Sequence, residues 1–335
     1  FISRDFFCPR ALGKRSFFQK FAAHWLKSKV MNNLKGFFYG IATSVTFGLI
    51  PLFTLPLMAK GLIFDSILFY RFLLATMALG FMMLIKKESF RIQLKDIPVL
   101  ILLGFLYTGS AMFLFWGYSF MGAGVATTIH FTYPIFVTLF MFIFFRERAT
   151  WITWLAILLA VAGVAKLSIK GDELSFDPLG IFIVILSAVS YASYIIVVNK
   201  SRVHSMNGRK LAFFVFIVST LLFAVKALTN EGIQSVPDNL SWVNLFLLAV
   251  VPTVISNITL VLAVHHIGGT LTSVLGAMEP VTAVCIGAFV FQEEFTWQSG
   301  LGILFIITAV TLIILSKTIQ KTLSTVVRKI RPRHA

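Results

Sequence analysis

The sequence predicts an all-α polytopic membrane protein of ten transmembrane helices, arranged as two inverted five-helix repeats with both termini in the cytoplasm. Three observations predict it. The 335 residues are 58% hydrophobic and only 13% charged, about half the charged share of a water-soluble domain. Apolar runs fill most of the chain, and a hydrocarbon core of about 30 Å needs about 20 such residues per helix. The second half of the chain also repeats the first.

The elements can be taken in order. Ten apolar segments run at roughly 36–58, 64–85, 97–119, 122–145, 151–169, 178–199, 210–228, 241–264, 269–291 and 297–316. Polar punctuation cuts them at Lys86-Lys87-Glu88, Arg146-Glu147-Arg148, Lys170-Gly171-Asp172 and Pro237-Asp238-Asn239. Pro98 and Pro178 fall near first turns, where a missing N–H costs little. Trp151 and Trp297 open the fifth and tenth segments and read as interface anchors.

The charge pattern sets the orientation. The net charge of +16 is concentrated in tails and short loops, which excludes a folded basic face of the kind nucleic acid needs. With the N-terminus inside, the cytoplasmic stretches carry 24 of the 29 Lys and Arg residues, against four on the opposite side and Arg71 within the second segment. This is a strong positive-inside bias, and two basic tails require an even number of crossings. The two cysteines, Cys8 and Cys285, lie far apart in unlike surroundings, so neither a disulfide framework nor a metal site is expected.

The repeat is legible residue by residue. Pro134, Glu147, Thr150 and Trp151 recur 146 positions later as Pro280, Glu293, Thr296 and Trp297. The first segment maps on the sixth at an offset of 144, pairing Gly36 with Gly180 and Phe47 with Tyr191. Five helices per half force the second half to enter from the other side, and inverted repeats place a transport site near their interface at mid-membrane. The predicted organisation is a basic extension at 1–33, repeats at 34–170 and 171–316, and a basic cytoplasmic tail at 317–335. Residues 1–30 are basic and aromatic and precede Met31, so an over-extended reading frame fits them better than a surface helix or a targeting presequence.

Over roughly residues 34–316 the chain resembles the EamA-type family of the drug/metabolite transporter superfamily. The resemblance rests on Phe69-Tyr70-Arg71-Phe72, on Tyr133-Pro134 followed by Arg146-Glu147-Arg148, and on Met278-Glu279-Pro280 followed by Gln292-Glu293-Glu294. It implies a carrier of small metabolites and does not identify which.

Ionisable groups inside the membrane are the sharpest site candidates, because hydrocarbon penalises charge. Arg71 is placed about seven residues from the outer end of the second segment, Glu279 about ten residues into the ninth, and His130 about six into the fourth. Each has a plain structural alternative: a brace to carbonyls, a protonated interhelical hydrogen bond, and a packing histidine. Tyr107, Trp116, Tyr133, Tyr191 and Tyr194 read as an amphipathic aromatic lining, with Asn257 a further polar candidate. Pro51, Pro134, Pro252 and Pro280 fall inside segments and are hinge candidates, each removing one helical hydrogen bond. Ser and Thr residues in the first, third, fourth, sixth, eighth and ninth segments should surround a common interior, though any single hydroxyl is better read as bonded to its own helix. The fifth and tenth segments are nearly devoid of strongly polar groups and could face lipid or a second copy of the chain.

No metalloprotease, nucleophile-elbow or metal-ligand pattern is present, so no enzyme is expected, and no cofactor. No phosphate-binding loop is present either, so transport would draw on a gradient or on exchange. The expectation is a secondary transporter in a bacterial inner membrane that moves amino acids or related small organic metabolites by efflux or exchange. A channel-like or non-transporting scaffold protein is the alternative. Expected partners are the small-molecule substrate and the lipid bilayer, with a homodimer through the fifth and tenth helices and no nucleic acid.

Overall fold

In hydrocarbon every backbone N–H and C=O must be satisfied internally, so long apolar runs fold as helices. A computed structural model describes residues 34–146, 151–170, 173–174, 177–229 and 232–260, then 262–263, 266, 275–276, 278–292, 294–298, 300–309, 311–312 and 315. The predicted extension 1–33, the tail 317–335 and the charged turn 147–150 lie outside the described residues.

Seven helices among the described residues are long and apolar enough to cross a membrane. They comprise α1 (Leu34–Ala59), α2 (Phe64–Ile85), α3 (Ile97–Gly117, with the short turn Leu94–Asp96 before it) and α4 (Ala123–Phe145). The others are α6 (Pro178–Lys200), α7 (Gly208–Thr229) and α8 (Asn239–Leu260). Helix α5 (Trp151–Ser168) and the shorter apolar helices α9 (Met278–Val290) and α10 (Gly300–Ala309) occupy the stretches read as fifth, ninth and tenth segments. A two-residue antiparallel ladder, Ile169–Lys170 with Glu173–Leu174, joins α5 to α6; four residues are too few to give a periodicity signal.

Helices α2, α3, α6 and α7 pack into one bundle, α3 along α6 and α2 along α7. Glycine permits the closest approaches: a Cβ at Gly104 of α3 would meet Val218 of α7 at 2.3 Å, and one at Gly117 would meet Val184 of α6 at 2.3 Å. Without a hydrophobic drive between helices in lipid, such small-residue contacts are what holds a bundle together. Phe72 fills its centre, with ring centroids 5.8 Å from Tyr107, 5.6 Å from Phe216 and 5.8 Å from Phe223. Helices α5 and α10 turn their small faces to each other. A Cβ on Gly163 would lie 2.8 Å from the Gly302 carbonyl, while Trp151 and Trp297 stay 74% and 80% exposed.

Polar bonds tie the bundle at both ends. At one end Gln234, before α8, accepts from Ile63 N–H at 2.7 Å, donates its own N–H to Ser66 at 3.0 Å and accepts from the Tyr70 hydroxyl at 3.0 Å. Lys60–Asp238 at 2.6 Å and Lys226–Asp65 at 2.7 Å add ion pairs there. At the other end Arg209 pairs with Glu88, and the Lys210 ammonium donates to the Arg91 carbonyl.

Candidate functional site

Two helices are interrupted, a third is widened and a fourth begins beside a proline, and each of these irregularities contains or adjoins a proline. Helix α1 breaks at Leu49 and resumes with Pro51 in its first turn. In α4 the stretch Ala123–His130 ends in a turn at Phe131 and Thr132, and Tyr133–Phe145 restarts with Pro134 in its first turn. Helix α8 widens to a π-segment, Val250–Ile255, that contains Pro252. Helix α9 begins at Met278, after a turn in which Glu279 N–H donates to the Gly276 carbonyl at 2.9 Å, with Pro280 following. Proline lacks the N–H that the preceding turn needs and disfavours a helical residue before it, so the four hinge candidates coincide with irregular backbone. Glu279 therefore sits in the first turn of α9 and not ten residues inside a continuous helix.

The breaks adjoin a cavity of about 50 Å³ whose wall includes Ile50, Arg71, Tyr107, His130, Tyr191 and Glu279. Arg71 is only 3% exposed. Its Nε donates to Thr253 Oγ1 at 2.8 Å, and its guanidinium lies 5.5 and 5.6 Å from the ring centres of Phe72 and Phe115. Among the described residues neither Arg71 nor Glu279 is in an ion pair.

His130 belongs to a three-member chain across α4, α6 and α3. Ser187 Oγ donates to the Ser110 carbonyl at 2.6 Å and lies 2.9 Å from His130 Nδ1. A serine has one proton and here gives it to a carbonyl, so His130 Nδ1 must carry hydrogen and donate. A neutral His130 then keeps Nε2 as its free acceptor.

The tyrosines form one continuous wall. Tyr133 and Tyr191 meet edge to face at 4.8 Å, Tyr191 stacks on Tyr194 at 5.9 Å, and Tyr194 lies 5.2 Å from Tyr107. Asn257 of α8 donates from Nδ2 to the Thr253 carbonyl at 2.6 Å. Trp116 does not join them. It is 37% exposed and packs on Phe120 at 6.3 Å, because at 3.6 residues per turn it lies on the face of α3 opposite to Tyr107.

Most membrane hydroxyls bond back to their own helix, as Ser44, Thr46 and Thr128 do to carbonyls four residues earlier. Others cross between helices, among them Thr43 to Thr259 at 2.7 Å, Ser187 to Ser110, and Arg71 to Thr253. Sequence reasoning did not single out Thr253, although a hydroxyl directly after an intrahelical proline was the available signal.

Comparison with known proteins adds an independent line. A family described as the EamA-like transporter family matches twice, over residues 34–169 and 178–315. An uncharacterized transporter of Synechocystis sp. is 26% identical over 227 residues, 65% of this chain and 67% of its own length. Two uncharacterized transporters of Bacillus subtilis, YdfC and YetK, are each 26% identical, over 71% and 74% of this chain and 78% and 77% of their own. A crystal structure of a protein 17% identical superposes with a TM-score of 0.61 over 84% of this chain and 96% of its own, a likeness that concerns the fold alone.

Proposed function

The protein belongs to the EamA-like transporter family, and from that premise we propose that it works as a secondary transporter. It is a multi-pass membrane protein. In the proposed reading, ten helices form two inverted repeats with both termini cytoplasmic in a bacterial inner membrane. Small organic metabolites, amino acids and related compounds foremost, move by efflux or exchange through alternating access.

The observation that carries the reading is the cavity, with charged and aromatic side chains in its wall, at the irregular turns of α1, α4 and α9. Discontinuous helices meeting at a polar site are how transporters bring backbone and charge to a substrate inside a bilayer. Its walls come from both halves: Arg71, Tyr107 and His130 from the first, Tyr191 and Glu279 from the second. A cation and a carboxylate on one wall without an ion pair match the carboxylate and ammonium of a zwitterion. Unpaired charges there would otherwise cost several kcal/mol.

The volume supports a closed state. Pockets for organic ligands run to about 300–1,000 Å³, and this cavity holds about 50 Å³, room for a few waters only. A solute must widen it, and the proline breaks are where the wall can yield. The loop contacts agree with the proposed sidedness. The α1–α2 and α7–α8 turns, both assigned outside, bind each other through Gln234, and the α2–α3 and α6–α7 turns, both assigned inside, through Glu88 and Arg209. A second copy docking on α5 and α10 would have to use their outer faces, with Leu158 and Leu304, since the small faces are occupied.

The test is a thermal-shift screen of purified protein against a metabolite library, followed by proteoliposome flux for each stabilising compound. Saturable flux accelerated by substrate on the opposite side is expected. Non-saturating flux would favour a channel, and stabilisation of nothing and transport of nothing would favour a scaffold.

A further inference from the structure

The wall of the cavity explains where Arg71 is, but not what holds it there. A buried guanidinium with five N–H groups needs acceptors that do not themselves move freely. Its bond goes to Thr253, inside the π-segment of α8 and directly after Pro252.

Pro252 has no N–H, so the Leu248 carbonyl four residues earlier loses the donor that a regular helix would supply. The Thr253 hydroxyl takes that place, donating to the Leu248 carbonyl at 2.9 Å. Its only proton is then committed, and the lone pairs of Oγ1 are turned to acceptance. Arg71 Nε fills one at 2.8 Å. Thr253 is completely buried, so no water can substitute for either partner. The same turn holds a second polar residue, because the Thr253 carbonyl accepts from Asn257 Nδ2 at 2.6 Å.

We propose that the Pro252–Thr253 step of α8 is the seat of Arg71, with Thr253 a positioning residue that fixes the guanidinium against the cavity. The proline creates an orphan carbonyl, the threonine caps it, and the cap leaves one acceptor aimed at one cation. Because the seat lies in the widened turn of α8, bending of α8 there carries Arg71 and Asn257 together. The importance of that motion for substrate rests on the transporter reading above; the seat itself does not.

The experiment uses full-length protein in lipid nanodiscs and phenylglyoxal, a small arginine-directed dicarbonyl, as probe. Modification of Arg71 is followed by mass spectrometry of its peptide, with Arg209 as internal reference. Thr253→Val keeps the shape and removes the hydroxyl, while Thr253→Ser keeps the hydroxyl. Loss of a hydrogen bond from a charged donor corresponds to about tenfold in the seated population. Arg71 of Thr253→Val should therefore react severalfold to about tenfold faster, with Thr253→Ser at the wild-type rate and Arg209 unchanged in both. A Thr253→Val rate no faster than wild type, or equal rates in the Val and Ser variants, overturns the seat. Pro252→Ala gives a second measurement. It returns an N–H to the Leu248 carbonyl, so the drop in melting temperature caused by Thr253→Val should shrink in that background. An equal drop in both backgrounds also overturns the proposal. For any compound found to be carried, Thr253→Val should raise KM more than it lowers the maximal rate, and Thr253→Ser should restore it. If nothing is carried yet the modification pattern holds, the transporter reading falls and the seat stands. If flux is found and Thr253→Val changes neither modification nor KM, the seat falls and the transporter reading stands.

Discussion

Gly48 sits one residue before the break in α1, pressed against the first turn of α9. A Cβ placed there would meet Thr282 Cβ at 2.5 Å and the Glu279 carbonyl at 2.7 Å. Ordinary contact begins at 3.4 Å, so Gly48→Ala must push α9 back by about 0.7 Å or more, and a backbone carbonyl cannot rotate away as a side-chain tip can. Overpacking of this kind costs about 1–3 kcal/mol. Against it stands the gain of roughly 0.5–1 kcal/mol from replacing a helical glycine by alanine. Gly109 of α3 isolates the second effect, since its Cβ would meet Ser190 Oγ at 3.6 Å, in ordinary contact. Gly109→Ala should therefore be neutral or stabilising, and Gly48→Ala should lose about 1–2 kcal/mol, a drop of several degrees in midpoint. The assay is thermal unfolding of purified protein in detergent, with flux in proteoliposomes alongside. Because the displaced turn carries Glu279, flux should fall further than stability predicts. A Gly48→Ala protein as stable and active as Gly109→Ala would refute the packing argument.

Other consequences can be measured separately. Glu279→Gln should insert normally and still exchange substrate, yet fail to accumulate it against a gradient; transport with unchanged pH dependence would reduce Glu279 to a structural role. Ser187→Ala removes the acceptor of His130 and the donor to Ser110, so it should cost about 1–3 kcal/mol in thermal unfolding, and an unaltered midpoint would argue against that chain. Outside the membrane-spanning segments, the Lys60 ammonium and then the Ser241 N–H hold the Asp238 carboxyl down from 3.8 to about 2. A depressed folded pKa contributes stability above the unfolded value and loses it as pH falls through the folded one. Wild type should thus melt higher than Asp238→Asn above about pH 4, with the two converging toward pH 2. Reporter fusions at Lys35 and His334 should report cytoplasm, and those at Leu174 and Gly232 the opposite side; an extracytoplasmic C-terminus would sink the topology.

The helical, membrane-spanning character was legible because lipid imposes one rule on every residue: satisfy the backbone within the segment. Hydrophobic length alone therefore located α2 to within a residue at both ends, Phe64–Ile85 against an expected 64–85. The same rule gives no information on packing partners, since an apolar face in lipid is equally apolar toward lipid and toward protein. That is why the mutual contact of α5 and α10 through Gly163 and Gly302 could not be read, and why Trp116 was grouped with tyrosines it does not touch. The turn-to-turn bonds of Gln234 were equally silent, because a loop glutamine carries no periodicity.

The site was legible in part for a different reason. Charge inside hydrocarbon is costly enough to require an explanation, and Arg71 and Glu279 both come to the cavity wall. Proline was visible too as a hinge candidate, but not that Pro134 and Pro280 would stand in the first turn of a new helix start. The difference matters for Glu279. A carboxylate ten residues inside a helix sees a closed hydrogen-bond ladder. One in the first turn of α9 lies at the positive end of the helix dipole. The equivalent position in the first half is Tyr133, in the first turn of the second piece of α4. The two halves thus present the same backbone device with different chemistry at its tip, a phenol in one and a carboxylate in the other. An exact symmetry would give two equal sites. The asymmetry sets a carboxyl group, Glu279, on the second-half wall of the cavity and a cation, Arg71, on the first.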